Sequence, residues 1–295
     1  MNRTGAWVLA IRPKTLPAAA APVIAATGLA AASSRFNALP ALAALLGALL
    51  IQVATNLAND YFDHVKGGDS ESRVGPIRVT QSGMLPAASV RSAMWLFLAL
   101  AFLVGIYLVW VGGWPIVVIG LLSLLCAVIY TGGPFPLAYH GLGDVFVFVF
   151  FGLVAVGGTY YVQALSVTPS AVLVGVGLGA FSTAILVVNN LRDRETDAAA
   201  GKRTLAVRIG DRATVLEYVA CLFIAALVPA VGTWKFGWSP WVLLSLLGAL
   251  AALPSLGLVF GFKERGELNP ALGGTARGVG LYGLGLGLGH WLGTF

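Results

Sequence analysis

Two short polar stretches follow long apolar runs in this chain, and both are rich in carboxylates and amides. The first, NLANDYFDHVKGGD, covers residues 56–69, and the second, NNLRDRETDAAAGKR, covers residues 189–203. Shifted by 134 residues, both read N-x2-[N/D]-x3-D-x3-G. Because steps of three and four residues fall on one face of a helix, each stretch predicts an oxygen-rich stripe at a helix end.

The side chains of these stripes are suited to a hard divalent cation. Carboxylate and amide oxygens, without thiols or paired imidazoles, favour Mg2+, which completes its coordination with water and phosphate oxygens. We therefore expect Mg2+ as the cofactor. The candidate catalytic and metal-binding residues are the four acids Asp60, Asp63, Asp193 and Asp197.

Two such sites facing each other would clamp a diphosphate, and the neighbouring side chains fit that partner. The candidate substrate-binding residues are the nearby cations and amides: Lys66, Arg73, Arg78, Arg192, Lys202, Arg203, Asn56, Asn59, Asn189 and Asn190. In a competing interpretation each stretch is a solvated cap on a helix, and the cations follow from membrane topology alone. The repetition of the pattern half a chain apart favours a site.

Composition identifies the elements that must position these groups. Of the 295 residues, 58% are hydrophobic and 10% are charged, against roughly 25% charged in a soluble domain. Apolar runs long enough to cross a bilayer predict an all-α, polytopic membrane protein. The nine predicted spans cover residues 16–32, 38–58, 92–111, 114–131, 143–165, 168–188, 214–233, 240–262 and 275–293. The ninth is rich in glycine, which permits close helix packing.

The distribution of Lys and Arg predicts how the chain is oriented. With nine spans, sixteen of the eighteen cations lie on the side of the N-terminus, and only Arg35 and Lys235 lie on the other side. By the positive-inside rule, the N-terminus and both polar stretches lie on the cytoplasmic side of the cell's inner membrane. Since topology and the lipid bilayer account for the net charge of +6, we expect no nucleic-acid partner.

The polar stretches NDYFDHVKGGD and NNLRDRETDAAAGKRTLAVRIG resemble the two aspartate-rich motifs of the UbiA superfamily of intramembrane aromatic prenyltransferases. The resemblance spans nearly the whole chain. It implies one membrane-embedded domain over residues 1–295, a bundle of about nine transmembrane helices around a central cavity, and motifs that bind Mg2+ and an isoprenyl diphosphate. The repeated pattern, at 56–69 and 190–203, also suggests an internal duplication.

The chain departs from the family pattern at two places. Many members carry a third acid four residues after the second, where this chain has Gly67. Asp69, two residues further on, is the corresponding candidate metal ligand. Several relatives carry a Tyr-x3-Lys motif in the loop after the fourth span; here Tyr130 is kept, as a candidate substrate-binding residue, and Pro134 stands at the Lys position.

Three further segments resemble the branch of the family that acts on 1,4-dihydroxy-2-naphthoate: RPKTLPAAAAPV (12–23), RVGPIRVTQSG (73–83) and YTGGPFPLAYHGLGD (130–144). This resemblance implies transfer of a polyprenyl group from a polyprenyl diphosphate to that aromatic acceptor. The prenyl group replaces the acceptor's carboxylate, carbon dioxide is lost and demethylmenaquinone is formed. Arg78 is a candidate to bind the carboxylate. The alternatives are another aromatic acceptor, such as 4-hydroxybenzoate, and a cation-coupled secondary transporter.

Overall fold

A computed structural model describes residues 2–67 and 74–295 of the chain, and the regular secondary structure in these two ranges is helical. The α-helices are α1 (Arg3–Ile11), α2 (Leu16–Ala32), α3 (Ala38–Val65), α4 (Ala87–Gly112), α5 (Trp114–Ile129), α6 (Gly143–Phe148), α7 (Ala155–Ala164), α8 (Pro169–Ala199), α9 (Leu205–Phe236), α10 (Leu246–Gly261) and α11 (Leu268–Leu292). A π-helical segment, Val149–Val154, joins α6 to α7. Short 3-10 helices occur at Pro13–Thr15, Leu137–His140, Pro240–Ser245 and Arg265–Glu267.

The helices confirm the prediction of an all-α, multi-pass membrane protein. Within the described ranges, seven helical segments are long and apolar enough to cross a membrane; they contain α2, α3, α4, α6 with α7, α8, α9 and α10. The predicted fourth span is the shorter helix α5, of 16 residues. The predicted ninth span is α11, whose glycines lower its hydropathy. Each predicted span therefore corresponds to a helix of the bundle.

Helix α11 packs closely against its neighbours because its glycines have no side chains. A Cβ on Gly283 would lie 2.5 Å from the Cβ of Ala21 on α2, and one on Gly287 would lie 2.8 Å from the backbone oxygen of Ile24. On another face of α11, a Cβ on Gly278 would lie 2.9 Å from the backbone oxygen of Gly248 on α10. Small residues let helix backbones approach in a membrane, where packing replaces the hydrophobic effect as the driving force.

The buried apolar side chains form two groups on either side of a cavity. One group draws mainly on α2, α7, α8, α9, α10 and α11, and the other mainly on α1, α3, α4 and the loop before α4. The cavity has a volume of about 1400 Å3, and both halves of the bundle contribute to its wall. The bundle is therefore hollow at the centre, as the family resemblance implies.

The outer surface of the bundle has the pattern expected of a lipid-facing one. Helix α4 exposes large apolar side chains along its length, including Leu96 and Leu103. Trp110, Trp114 and Trp234 are 81%, 75% and 86% exposed and lie at the helix ends remote from the polar stretches. Tryptophan is enriched at membrane interfaces, so these residues mark the opposite boundary of the bilayer.

We predict that Gly28→Val destabilises the bundle, because a Cβ on Gly28 would overlap the backbone of Gly287 on α11. Overpacking of this kind costs about 1–3 kcal/mol, and backbone cannot move aside as a side chain can. The measurement is the temperature at which half of the detergent-solubilised protein loses its monodisperse elution peak. Gly257→Ala is the control, since a Cβ there meets nothing within 4 Å. Equal melting of both variants would contradict the packing assignment.

Candidate active site

Helices α3 and α8 end beside each other and carry the two polar stretches. Both stop in the same way: Lys66 and Ala200 follow the last helical residue, and the next residues, Gly67 and Gly201, have φ of 65° and 75°. Left-handed backbone of this kind is readily adopted by glycine. The glycine that closes each repeated pattern is thus the residue that ends each helix, which explains why the pattern includes it.

Asp63, in the last turn of α3, lies at the cavity and is bound by three other segments. Its carboxylate is 2.7 Å from Nη2 of Arg78, 3.1 Å from Nζ of Lys202 and 3.0 Å from the hydroxyl of Tyr139. The Asp63 and Arg78 side chains are 3% and 6% exposed. A buried carboxylate needs such partners, because an unpaired buried charge costs several kcal/mol.

Asp60 has a different position from the one that the sequence pattern suggests. Its carboxylate is 1% exposed and accepts the backbone N–H groups of Val79 and Thr80, at 3.2 and 3.0 Å. It is not among the described residues that line the cavity. Asp60 therefore fixes the loop that follows α3, and this loop carries Arg78 to Asp63.

Asp193, on α8, lies at the cavity and forms an ion pair with Arg192. Its carboxylate oxygens are 2.7 and 2.6 Å from Nε and Nη2 of Arg192, which is 1% exposed. The same guanidinium donates to the side-chain oxygens of Asn189, at 2.8 Å, and Asn269 on α11, at 3.1 Å. Bidentate pairing of this type fixes both the position and the orientation of the carboxylate.

Lys202 connects the two polar stretches across the cavity. Its Nζ is 3.1 Å from Asp63 and 4.0 Å from Asp197, and its side chain is 10% exposed. One ammonium group thus offsets the mutual repulsion of two carboxylates that lie 134 residues apart in sequence. The structure brings the two stretches together at one end of one cavity, as the shared pattern predicts.

Tyr139 and Thr131 belong to the site, although the sequence analysis did not single them out. The ring of Tyr139 lies close to Lys66 and Lys202, whose ammonium groups are 5.2 and 4.8 Å from its centre. Thr131 donates its hydroxyl to Asn59 at 2.9 Å. Both residues lie in the segment 130–144, which carried the family resemblance, so a signal for them was present.

The remaining predicted residues divide between the cavity and its surroundings. Lys66 donates to the backbone oxygens of Thr131 and Gly133, at 2.9 and 3.0 Å. Burial lowers the pKa of Lys66. The nearby charge of Lys202 lowers this pKa further, whereas the charge of Asp63 raises it. Arg203 is exposed. Asp69 and Arg73 lie outside the described residues. The predicted residues that line the cavity are Asn56, Asn59, Asp63, Arg78, Tyr130, Asn189, Asn190, Asp193, Asp197 and Lys202.

Away from the polar end, the cavity wall is mainly apolar. The π-helical segment directs two consecutive rings, Phe150 and Phe151, to the cavity, and Phe146 stacks on Phe150 with ring centres 5.9 Å apart. Apolar side chains of α4 and α5 complete this part of the wall. The site therefore combines carboxylates and cations at one end with room for a long apolar group.

Comparisons with known proteins identify relatives of this chain in sequence and in fold. The UbiA prenyltransferase family matches residues 19–266. The 1,4-dihydroxy-2-naphthoate octaprenyltransferase of Escherichia coli is 38% identical, covering 99% of this chain and 98% of that protein. The protein of the same name from Mycobacterium tuberculosis is 41% identical, with 91% of each chain covered. A UbiA homologue from Archaeoglobus fulgidus, solved with GPP and Mg2+, has a TM-score of 0.67 at 13% identity, covering 97% of this chain and 99% of that one.

We predict that Asp60→Asn destabilises the protein through the loop that Asp60 holds. The amide NH2 group cannot accept from a backbone N–H, so one of the two N–H groups of Val79 and Thr80 loses its partner, at a cost of about 1–3 kcal/mol. Thermal unfolding in detergent, without substrate or metal, measures this loss. Asp197→Asn, at the cavity wall, is the matched control and should unfold closer to wild type. A wild-type midpoint for Asp60→Asn would refute the anchoring role.

Proposed function

The chain belongs to the UbiA prenyltransferase family, and from that premise we propose that it transfers a polyprenyl group from a polyprenyl diphosphate to 1,4-dihydroxy-2-naphthoate, in menaquinone biosynthesis. The relatives that carry this activity in their names are similar over nearly the whole chain. We further propose that the protein lies in the inner membrane with the polar end of the cavity toward the cytoplasm. The excess of Lys and Arg on that side supports this orientation.

One observation carries the proposal: a single cavity joins a carboxylate-rich polar end to a large apolar body. The polar end holds Asp63, Asp193 and Asp197 with Lys202, and aromatic and aliphatic side chains line most of the rest. A polyprenyl diphosphate has the same division, with a charged head and a long apolar tail. A cation-coupled carrier keeps its ionisable groups near the midplane of the membrane, whereas these groups lie at helix ends.

The residues at the polar end fit Mg2+ by their donor chemistry. Carboxylate and amide oxygens line the cavity on both helices, and the ammonium of Lys202 already lies between two of the carboxylates, where positive charge is favoured. Asn59 and Asp63 would hold one metal ion, and Asp193 and Asp197 another. Asp60 and Asp69 are candidate metal ligands on the basis of the sequence pattern alone. When bound, Mg2+ would supply Lewis-acid stabilisation of the leaving diphosphate.

Side chains of the protein would meet two further requirements of the reaction, positive charge near the diphosphate and exclusion of water. Lys202 and Arg78 supply positive charge near the diphosphate, which leaves when the allylic C–O bond breaks. The apolar wall, with Phe146 and Phe150, excludes water that would quench the carbocation. The electron-rich ring forms a C–C bond at the carbon that bears the carboxylate, and carbon dioxide leaves. The product is a prenylated naphthalenediol, the reduced form of demethylmenaquinone.

We expect Asp63→Asn, Asp193→Asn and Asp197→Asn each to lower turnover about 100-fold or more, because each removes a carboxylate that would hold the Mg2+ ion stabilising the departing diphosphate. Turnover is measured at matched expression and corrected for the amount of folded protein. Arg35→Gln, on the far side of the membrane by topology, is the control. Near-normal turnover in two of the three aspartate variants would rule out the metal-binding assignment.

The proposed function as a whole is tested by product analysis. The purified protein is incubated with polyprenyl diphosphate, Mg2+ and 1,4-dihydroxy-2-naphthoate labelled in its carboxyl carbon, beside a parallel reaction with 4-hydroxybenzoate. We expect a prenylated diol by mass, one labelled carbon dioxide per product, and no reaction after treatment with EDTA. Prenylation of 4-hydroxybenzoate alone, or a naphthoate product that keeps its label, would show that the acceptor or the decarboxylation is misassigned.

A further inference from the structure

Residues 12–15, which form the turn between α1 and α2, bring two cationic side chains to the cavity wall. Arg12 and Lys14 both line the cavity. We propose that this segment, the 12–15 turn, binds the carboxylate of the aromatic acceptor. The inference rests on the proposed function, because it names the groups that recognise the acid on which that function acts.

The backbone of the turn is held in an uncommon conformation. Arg12 has φ of 55°, a left-handed value that residues with a side chain rarely adopt. The backbone N–H of Thr15 and its hydroxyl both donate to the backbone oxygen of Arg12, each at 2.9 Å. Strained backbone persists only where surrounding contacts fix it, and it is concentrated at functional sites.

Two buried amides on α3 supply those contacts. The side chain of Asn56 donates to the backbone oxygen of Ile11 at 2.8 Å and to the hydroxyl of Thr15 at 2.9 Å. Gln52, one helical turn earlier, donates to the same hydroxyl at 3.1 Å. Asn56 and Gln52 are 3% and 8% exposed. Asn56, the first amide of the polar stretch, thus positions a cationic turn, a role that its place in the pattern did not suggest.

Three cations beside the carboxylates of the polar end contact the protein itself. Arg78 and Lys202 bind the Asp63 carboxylate, and Lys66 donates to two backbone oxygens. Arg78, which the sequence suggested for the acceptor's carboxylate, is bound to Asp63, and we assign it to the diphosphate. Lys14 is exposed to the cavity, so its ammonium group can meet an incoming anion.

The depth of the turn matches the acceptor rather than the diphosphate. Asn56, which anchors the turn, precedes Asp63 by seven residues, or about 10 Å along a helix axis. A diphosphate bound by the groups at the polar end would lie near the level of Asp63, with its allylic carbon toward the apolar part of the cavity. A ring that attacks this carbon lies deeper than the diphosphate, near the level of Asn56, where the 12–15 turn can bind its carboxylate.

This placement also gives a physical reason for product release. The carboxylate is bound while the ring carbon that bears it is attacked, which orients that carbon toward the prenyl group. Loss of carbon dioxide then removes the anion that held the ring. The product is neutral and makes no ion pair with Arg12 or Lys14, so the same step that completes the reaction weakens binding.

The test compares binding of an acid and of its carboxylate-free counterpart. Calorimetry on the full-length protein in detergent, without prenyl diphosphate, gives Kd for 1,4-dihydroxy-2-naphthoate and for 1,4-naphthalenediol. We expect Arg12→Gln and Lys14→Gln each to raise Kd for the acid about tenfold or more, as loss of a charged hydrogen bond does. Kd for the diol should change less than about twofold, because the diol lacks the carboxylate. Arg12→Lys should retain most of the affinity, and Arg3→Gln, exposed on α1, should bind as wild type.

The possible results separate this inference from the proposed function. Wild-type affinity for the acid in both variants would overturn the inference, as would an equal loss of affinity for acid and diol. A raised KM for polyprenyl diphosphate with unchanged Kd for the acid would assign the turn to the diphosphate instead. If Arg12→Gln does not fold, Lys14→Gln, an exposed position, decides the question. If the wild-type protein prenylates only 4-hydroxybenzoate, the proposed function fails, and the same comparison is made with that acid and phenol.

Discussion

The carboxylate of Asp63 is buried at the end of α3 and accepts hydrogen bonds from three segments that are distant in sequence. Arg78 belongs to the loop after α3, Tyr139 to the loop after α5 and Lys202 to the loop after α8. An isolated carboxylate in this position would cost several kcal/mol, so the charge is stable only when all three loops are in place. The geometry of the polar end depends on this one group.

Glycine packing provides the rigid frame in which that arrangement can persist. In a membrane, helices gain nothing from hiding apolar surface from lipid, and close backbone contact is the main source of cohesion. The glycines of α11 allow contact with α2 on one face and α10 on another, which consolidates one half of the bundle. The cavity lies between this half of the bundle and the other.

Residues of one type have different roles because their surroundings differ. Asp60 and Asp63 are three positions apart on α3, yet Asp60 accepts backbone N–H groups and Asp63 binds charged side chains at the cavity. Asn56 and Asn59 diverge in the same way: one holds the 12–15 turn, and the other accepts from Thr131. The polar stretch is therefore both the site and the support of the loops around it.

The sequence by itself determined the all-α, membrane-embedded class, the approximate positions of the apolar helices and the meeting of the two polar stretches. These follow from local properties: apolar run length, helical spacing and the repeated pattern that ends in a glycine with positive φ. It did not determine which acid reaches the cavity, nor the roles of Tyr139, Arg12 and Lys14. Side chains three residues apart share a helix face, but only the neighbouring segments decide which of them meets a loop and which meets the cavity. The surroundings of each side chain therefore depend on contacts between residues up to 139 positions apart, and these contacts form only in the tertiary structure.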